Sequence, residues 1–226
     1  MFSKLYNNRF KIYLSSQLTL LFGSLVIPTE SLESVLYPIL FQINIIAGVL
    51  LLAKNKKIMW LITSILVITS VVYGTDILDI IPHQVFNFVR LGIYFIYHLV
   101  IGWHIIKQVW KAREVDENAI FGLISGYLSL GLIGFFICLS IEVSNPGAFQ
   151  GLFEGEYQPE LLTERLIYYS YITILTLGYG DILPVTALAQ KAAVLIGLMG
   201  QFYLVIFTAV IISKYINQSN RKEQVE

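Results

Sequence analysis

Apolar segments of nearly membrane-spanning length recur along the whole chain and limit what it can fold into. A helix needs about 20 apolar residues to cross the hydrocarbon core of a bilayer. With 56% apolar residues and only 13% charged ones, the chain has too few polar side chains to cover a water-soluble surface. The sequence therefore predicts an all-α membrane protein with six transmembrane helices, at residues 12–27, 34–53, 58–74, 85–106, 119–141 and 186–213.

The charges of the short polar segments indicate how these helices are oriented. Lysine and arginine next to short loops stay on the cytoplasmic side of a membrane. All of the 15 basic residues except Arg90, Arg165 and Lys191 fall on the side that holds both ends of the chain, whereas most acidic residues fall on the other side. No cleavage pattern of small residues follows the first span. We therefore expect a multi-pass protein of the plasma (cell inner) membrane with both termini in the cytoplasm.

One short motif lies between the last two spans, Thr176-Leu177-Gly178-Tyr179-Gly180, followed by Asp181. Glycine tolerates backbone dihedrals that a side chain normally forbids, and here it occupies alternate positions. Such a backbone can turn successive carbonyl oxygens toward one axis, where they replace the hydration shell of a potassium ion. The threonine hydroxyl adds one more oxygen. Because each of these dipoles is weak, several copies must surround the ion, and the motif predicts a ring of chains.

The residues around this motif resemble the pore of the tetrameric potassium channel superfamily. Residues 168–173 are similar to the aromatic pair, serine and threonine of that family's pore helix, and residues 181–186 are similar to its turn into the inner helix. Two positions depart from the family pattern: Leu175 stands where many members have a second threonine, and Leu177 stands where valine or isoleucine is usual. The resemblance implies a homotetramer that conducts K⁺ through a central pore, with a re-entrant pore helix at about residues 160–175 and a selectivity-filter loop.

The resemblance also implies roles for residues near the filter. Asp181 is expected at the outer mouth, where its charge raises the local cation concentration. In the family this aspartate bonds to an aromatic donor on the pore helix, and a hydrogen bond from the Tyr169 hydroxyl is expected here. Gly200 is at the position of the family's gating hinge, and Gly197 is a second candidate that could equally allow close helix packing.

Three residues of the last span recur at four-residue spacing on one helical face: Leu204, Thr208 and Ile212. They are candidates for the lining of the inner pore. The alternative is that this face packs against lipid or against other helices, and the sequence does not choose between the two.

The first four spans resemble a voltage-sensor domain in number and topology but lack its charges. Each charge that crosses the membrane field contributes only about 2.3 kcal/mol per 100 mV, so a sensor helix needs several. The fourth span offers Arg90 alone, with His98 and His104 largely neutral at pH 7. We therefore expect a channel of voltage-gated-like architecture, without an Arg-rich sensor helix, that is not strongly voltage-gated.

These expectations divide the chain into a four-helix domain (1–106), a cytoplasmic linker (107–118), a pore domain (119–213) and a short cytoplasmic tail (214–226). The runner-up function is a nonconducting or regulatory subunit of a cation transport system. A membrane haem protein is disfavoured, because His98 and His104 are six residues apart and share a helix face poorly. The sequence contains no pattern typical of an enzyme, a bound cofactor or a nucleic-acid interface, so the expected partners are K⁺, membrane lipid and other copies of the chain.

Overall fold

The computed structural model describes residues 6–25, 36–52, 59–60, 63–65, 67–68, 83–112, 115–153 and 161–223. Within these ranges the chain is helical apart from short connections and one two-stranded ribbon. The helices are α1 (Arg9–Phe22, continued by the 3₁₀ turn Gly23–Leu25), α2 (Tyr37–Leu51), α3 (His83–Lys111), α4 (Glu117–Ser144), α5 (Leu162–Ile174) and α6 (Ala187–Glu223), and the strands are β1 (Phe149–Gln150) and β2 (Leu183–Pro184).

Two of the described helices are long and apolar enough to cross a bilayer, and they cover Glu117–Ser144 and Ala187–Asn220. Helix α2 is apolar but shorter. The predicted third span, 58–74, lies largely outside the described residues, so six crossings stay a prediction. The structure shows an all-helical fold in which two apolar helices are long enough to cross a membrane.

The helix ends differ from those expected from hydropathy. Helix α3 continues to Lys111 and α4 begins at Glu117, so only residues 112–116 join two helices that were expected to be separated by a linker of residues 107–118. Helix α6 likewise continues to Glu223, into the predicted tail. Hydropathy marks the part of a helix that lipid surrounds, whereas its ends are set by capping. Asp116 provides such a cap, because its carboxylate accepts a hydrogen bond of 2.8 Å from the Ala119 amide.

Helix α4 is the central element, since α1, α3, α5 and α6 all pack against it. Its glycines allow these close contacts. A Cβ atom on Gly126 would overlap the hydroxyl of Tyr203, and one on Gly131 would lie 2.5 Å from the Tyr171 ring. Small residues let helix backbones approach closely in membranes, where no hydrophobic force drives helices together. These two glycines therefore allow α6 and α5 to pack closely against α4.

Buried hydrogen bonds fix how α1 and α2 sit in this arrangement. The Gln17 side chain donates to the Ser129 hydroxyl at 3.0 Å, and the Asn44 side chain donates to the Ser16 hydroxyl at 3.0 Å. The Tyr97 hydroxyl donates to the Asn44 carbonyl at 2.9 Å. In an apolar interior each such pair is costly to break, so these contacts select one relative position of the helices.

Candidate functional site

Helix α5 is held between α4 and α6 by side chains that bond to the backbone of α4. The Ser170 hydroxyl donates to the Gly131 carbonyl and the Tyr171 hydroxyl donates to the Leu128 carbonyl, both at 2.7 Å. Ser170 is fully buried. These bonds fix both the depth and the rotation of α5, and with them the start of the segment that follows.

The end of α5 is tied to the Thr-Leu-Gly-Tyr-Gly segment by backbone hydrogen bonds. The Ile172 carbonyl accepts from the amides of Leu177 (2.9 Å) and Gly178 (3.2 Å). The Thr173 carbonyl accepts from the amide of Thr176 at 3.0 Å. The last carbonyls of a helix have no partner within the helix. Here the following loop supplies donors, so its inner half is folded back onto the helix end in a fixed position.

A further donor for the end of α5 comes from α4. The Tyr127 hydroxyl donates to the Ile174 carbonyl at 3.0 Å. This bond, together with those from the loop, anchors the junction between the helix and the motif.

The backbone of residues 176–180 alternates in handedness. Thr176, Gly178 and Gly180 have φ values of +60°, +51° and +83°, and Thr176 is the one non-glycine residue with positive φ in the described part of the chain. The residues between them therefore have negative φ. A chain that alternates in this way turns successive peptide planes so that carbonyl oxygens can face the same side. A Cβ atom at Gly178 or Gly180 would meet nothing within 4 Å, so glycine is required there by the dihedral angle and not by space.

This segment is exposed in the single chain. Residues 175–181 are all solvent-exposed, including the apolar side chain of Leu177 (54%) and the ring of Tyr179 (71%). Large apolar side chains on a rigid, strained loop are unusual at a free surface. In the single chain these apolar side chains are therefore uncovered.

Asp181 influences Tyr168, the residue before the expected donor. Hydrogen bonding to Asp181 is the main cause that raises the pKa of the Tyr168 phenol, and Arg165 has a smaller opposing effect. Tyr168 is therefore a second candidate on α5 for the support of the aspartate.

Tyr169 packs against the outer loop. Its side chain is 4% exposed, and its ring lies edge-on against Phe149 with centroids 5.1 Å apart. Tyr169 thus joins α5 to the outer loop, and its hydrogen bond to Asp181 stays a prediction.

The outer loop after α4 supports the far end of the motif. Strand β1 pairs antiparallel with β2, which aligns Phe149 with Pro184 and Gln150 with Leu183, and the Val185 amide donates to the Ala148 carbonyl at 2.9 Å. Gly151 has a φ of +87°, and a Cβ atom there would overlap the carbonyl oxygen of Asp181. The residues just beyond the motif are thus held by a loop that approaches them at backbone distance.

Glu142 anchors this loop, which was not apparent in the sequence. Its carboxylate is 5% exposed and accepts hydrogen bonds from the amides of Gly147 (2.7 Å) and Phe149 (3.1 Å). In the sequence Glu142 reads as one of several solvated outer acids. The signal that could have identified it is its position three residues before Asn145-Pro146-Gly147, where a turn leaves amides without helical partners.

Gly200 packs against the end of α5. A Cβ atom on Gly200 would lie 2.6 Å from both the carbonyl oxygen and the Cγ1 atom of Ile174, whereas one on Gly197 would meet nothing within 4 Å. Close packing, expected as a role for Gly197, is thus found at Gly200. Helix α6 is continuous through both residues, so a gating hinge there stays a prediction.

The three residues predicted to line the inner pore share an exposed face of α6. Leu204, Thr208 and Ile212 are exposed, whereas Tyr203 and Phe207 are buried and face the rest of the chain. This face is available to a pore, to lipid or to another subunit. In the described part of the chain, no group of three or more His, Cys, Asp or Glu side chains lies where it could hold a metal ion.

Comparison with known proteins agrees with the position of this site. Residues 122–217 match the family model Ion_trans_2, which is described as "Ion channel". The matched range includes most of α4, all of α5, the Thr-Leu-Gly-Tyr-Gly segment and most of α6. Together with the two apolar helices, the match indicates a membrane protein with an ion channel domain. Neither the curated proteins nor the solved structures gave a match.

Proposed function

We propose that this chain is the subunit of a potassium-selective channel in which four copies place residues 176–180 around one central axis. K⁺ crosses the membrane passively, coordinated by the backbone oxygens of this filter and by the Thr176 hydroxyl. The protein is a multi-pass protein of the plasma membrane with both termini in the cytoplasm. Its function is conduction and not catalysis.

The alternation of φ at Thr176, Gly178 and Gly180 is the observation that carries this proposal. Positive φ costs a non-glycine residue free energy, on the order of 1 kcal/mol, and Thr176 adopts it nonetheless. The backbone bonds to the end of α5 hold this conformation in place. A loop held in a costly conformation by its surroundings is expected where the conformation itself is functional.

The exposed surface of the chain supports assembly. The filter side chains and the outer face of α6 are apolar and uncovered, with Phe202 60% and Val205 65% exposed. Part of this surface can face lipid. The filter cannot, because unpaired backbone groups do not face hydrocarbon in membrane proteins. A ring of identical chains around the filter covers these groups and supplies the several oxygens that a cation needs.

The N-terminal helices are not expected to make the channel strongly voltage-dependent. Of the described residues from 91 to 106 in α3, none is lysine or arginine. Arg90 precedes them, and its side chain is not among those that the structure describes. A single charge gives about 2.3 kcal/mol per 100 mV for each subunit, too little for steep gating.

Purified protein in planar bilayers tests the proposal. With unequal KCl on the two sides, unitary currents that reverse at the potassium equilibrium potential are expected. Gly178→Ala should abolish this selectivity, because alanine is strained at a φ of +51°. Gly147→Ala is the matched control: Gly147 has a φ of +84° and the same open surroundings but lies in the outer loop, so its selectivity should stay normal.

Two results would count against a potassium channel. Equal currents of Na⁺ and K⁺ through the unaltered protein would exclude potassium selectivity. Silence in the bilayer, with currents or uptake only when other subunits are added, would favour a nonconducting or regulatory subunit of a transport system. Growth of a potassium-uptake-deficient bacterial host at low K⁺, with the same two variants, gives an independent readout.

A further inference from the structure

A cavity of about 640 Å³ lies at the ends of four helices, away from the filter. Its walls come from the start of α1 and the residues before it, the last residues of α2, the end of α3 and the start of α4. All of these helix ends lie on the side of the membrane that the distribution of basic residues assigns to the cytoplasm. Trp103 and Trp110 of α3 are exposed at this end, at 64% and 51%, as is usual at the depth of lipid headgroups.

The walls carry more positive than negative charge. Arg9, Lys107 and Lys111 line the cavity, and Asp116 is the one acidic residue among its described lining residues. The Asp116 carboxylate accepts bonds from the Ala119 amide (2.8 Å) and the Asn118 side chain (3.4 Å). In the described part of the chain neither lysine forms an ion pair. The described walls of the cavity thus carry three basic side chains and one carboxylate.

Arg9 is held in position by its neighbours. Its Nε atom donates to the Gln108 side chain at 3.2 Å, and one terminal nitrogen donates to the Tyr6 carbonyl at 3.1 Å. The guanidinium lies over the rings of Tyr6 and Phe10, 4.4 and 4.5 Å from their centroids. Gln108 in turn donates to the Leu51 carbonyl at 3.0 Å. An arginine fixed in this way loses little conformational entropy when it binds an anion.

The cavity also has an apolar wall. Phe10, Leu51, Leu52 and Val109 line it, and all four side chains are buried. A site with both cations and apolar surface suits a ligand that has a phosphate next to hydrocarbon. Basic pockets between helices on the cytoplasmic side of membrane proteins are of the kind that binds anionic lipid headgroups.

We infer that this cavity binds the phosphate of an anionic phospholipid from the cytoplasmic leaflet. Arg9, Lys107 and Lys111 contact the headgroup, and the acyl chains extend from the cavity into the surrounding lipid.

Binding of phosphatidylglycerol to the full-length purified protein tests the inference without any measurement of current. Native mass spectrometry in detergent counts the lipids retained with phosphatidylglycerol or with phosphatidylcholine of identical acyl chains. Retention of phosphatidylglycerol and not of phosphatidylcholine is expected. Lys107→Gln combined with Lys111→Gln should weaken phosphatidylglycerol binding by about 30-fold, since each basic residue near the membrane surface contributes about fivefold.

Lys11→Gln is the matched control, because Lys11 lies near this end of α1 but does not line the cavity and pairs with Glu117 at 2.9 Å. It should retain the lipid as the unaltered protein does. Equal retention by the double variant would overturn the assignment of the site. Inorganic phosphate or glycerol 3-phosphate that displaces the lipid at equal concentration would overturn the lipid as occupant and indicate a soluble anion. Because conduction is not measured, none of these outcomes depends on the proposed channel function.

Discussion

The ammonium group of Lys214 lies 2.6 Å from the carbonyl oxygen of Trp110. It also donates to the carbonyl of Ala112 at 2.8 Å, while the side chain of Gln218 accepts a bond of 2.9 Å from the Val115 amide. A cation at the C-terminal end of a helix satisfies its last carbonyls and interacts favourably with the helix dipole. The inner helix α6 is thus bonded to the end of α3 and to the segment that joins α3 to α4.

Replacing Lys214 with methionine is expected to uncouple α6 from the end of α3. Methionine keeps the length of the side chain but cannot donate. Loss of the bonds should cost about 1 kcal/mol, or a roughly fivefold change in the equilibrium between closed and open pores. The open probability in single-channel recordings measures this change in the equilibrium. Lys191→Met on the exposed face of the same helix is the control, and equal open probabilities for both variants would show that Lys214 does not couple the helices.

Tyr168→Phe is expected to speed the loss of current during sustained opening severalfold. Hydrogen bonding to Asp181 is the main cause that raises the pKa of the Tyr168 phenol, so we expect this hydroxyl to support the outer end of the filter. Tyr169→Phe provides the comparison, because it removes the hydroxyl of the neighbouring tyrosine, whose ring packs against Phe149. Macroscopic current decay in symmetrical KCl distinguishes the two. A larger effect of Tyr169→Phe would mean that the contacts of these two tyrosines differ in the assembled channel.

The support from Tyr168 should persist through mildly alkaline pH. A hydrogen bond to Asp181 raises the pKa of the phenol, so the folded protein favours the neutral, donating form. Stabilisation from a raised pKa is fully present below the unfolded value, about 10 for tyrosine, and disappears as the pH rises through the raised value. The rate of current loss should therefore not change through this group between pH 7 and 9. A rate that increases over this interval in the unaltered protein but not in Tyr168→Phe would contradict it.

Glu142→Gln is expected to loosen the outer loop. The buried carboxylate accepts from two amides, and glutamine has a single acceptor oxygen and would turn its own N–H groups toward one of them. An unpaired buried amide costs about 1–3 kcal/mol. Hydrogen exchange at Gly147, Phe149 and Val185, followed by mass spectrometry, should become faster. Glu164→Gln, in the first turn of α5, is the control and should leave exchange in this loop unchanged.

The region from α4 to α6 was predictable from the sequence to the extent that its signals are local. The apolar runs indicated α4 and α6, and the alternate glycines indicated the unusual backbone of residues 176–180. Which of Tyr168 and Tyr169 faces Asp181 depends on the rotation of α5 about its own axis. Ser170 and Tyr171 fix this rotation through hydrogen bonds to α4, and the residues near the two tyrosines in the sequence do not indicate it.

Contacts between residues far apart in the chain could not be predicted from the sequence for a similar reason. Lys214 reads as a cytoplasmic charge after the last span, and nothing near it indicates that it binds carbonyls at the end of α3. The length of α3 was underestimated because its last turn is polar, although those residues bond to α1 and α6. Such pairings depend on the packing of whole helices and become visible only when all of them are placed.

Gly200→Ala separates close packing from flexibility as the reason for glycine in the inner helix. The added methyl group would lie 2.6 Å from the Ile174 carbonyl oxygen, which Tyr127 also contacts, so α6 would have to move away from the end of α5. Overpacking of this kind costs about 1–3 kcal/mol, and we expect weaker potassium selectivity or a lower thermal stability of the tetramer. Gly197→Ala adds the same methyl group where nothing lies within 4 Å and should be tolerated. A Gly200→Ala variant with normal selectivity and stability but altered opening rates would instead identify Gly200 as a hinge, because the contact with Ile174 would then have proved unimportant and only the loss of backbone freedom would remain as the cause.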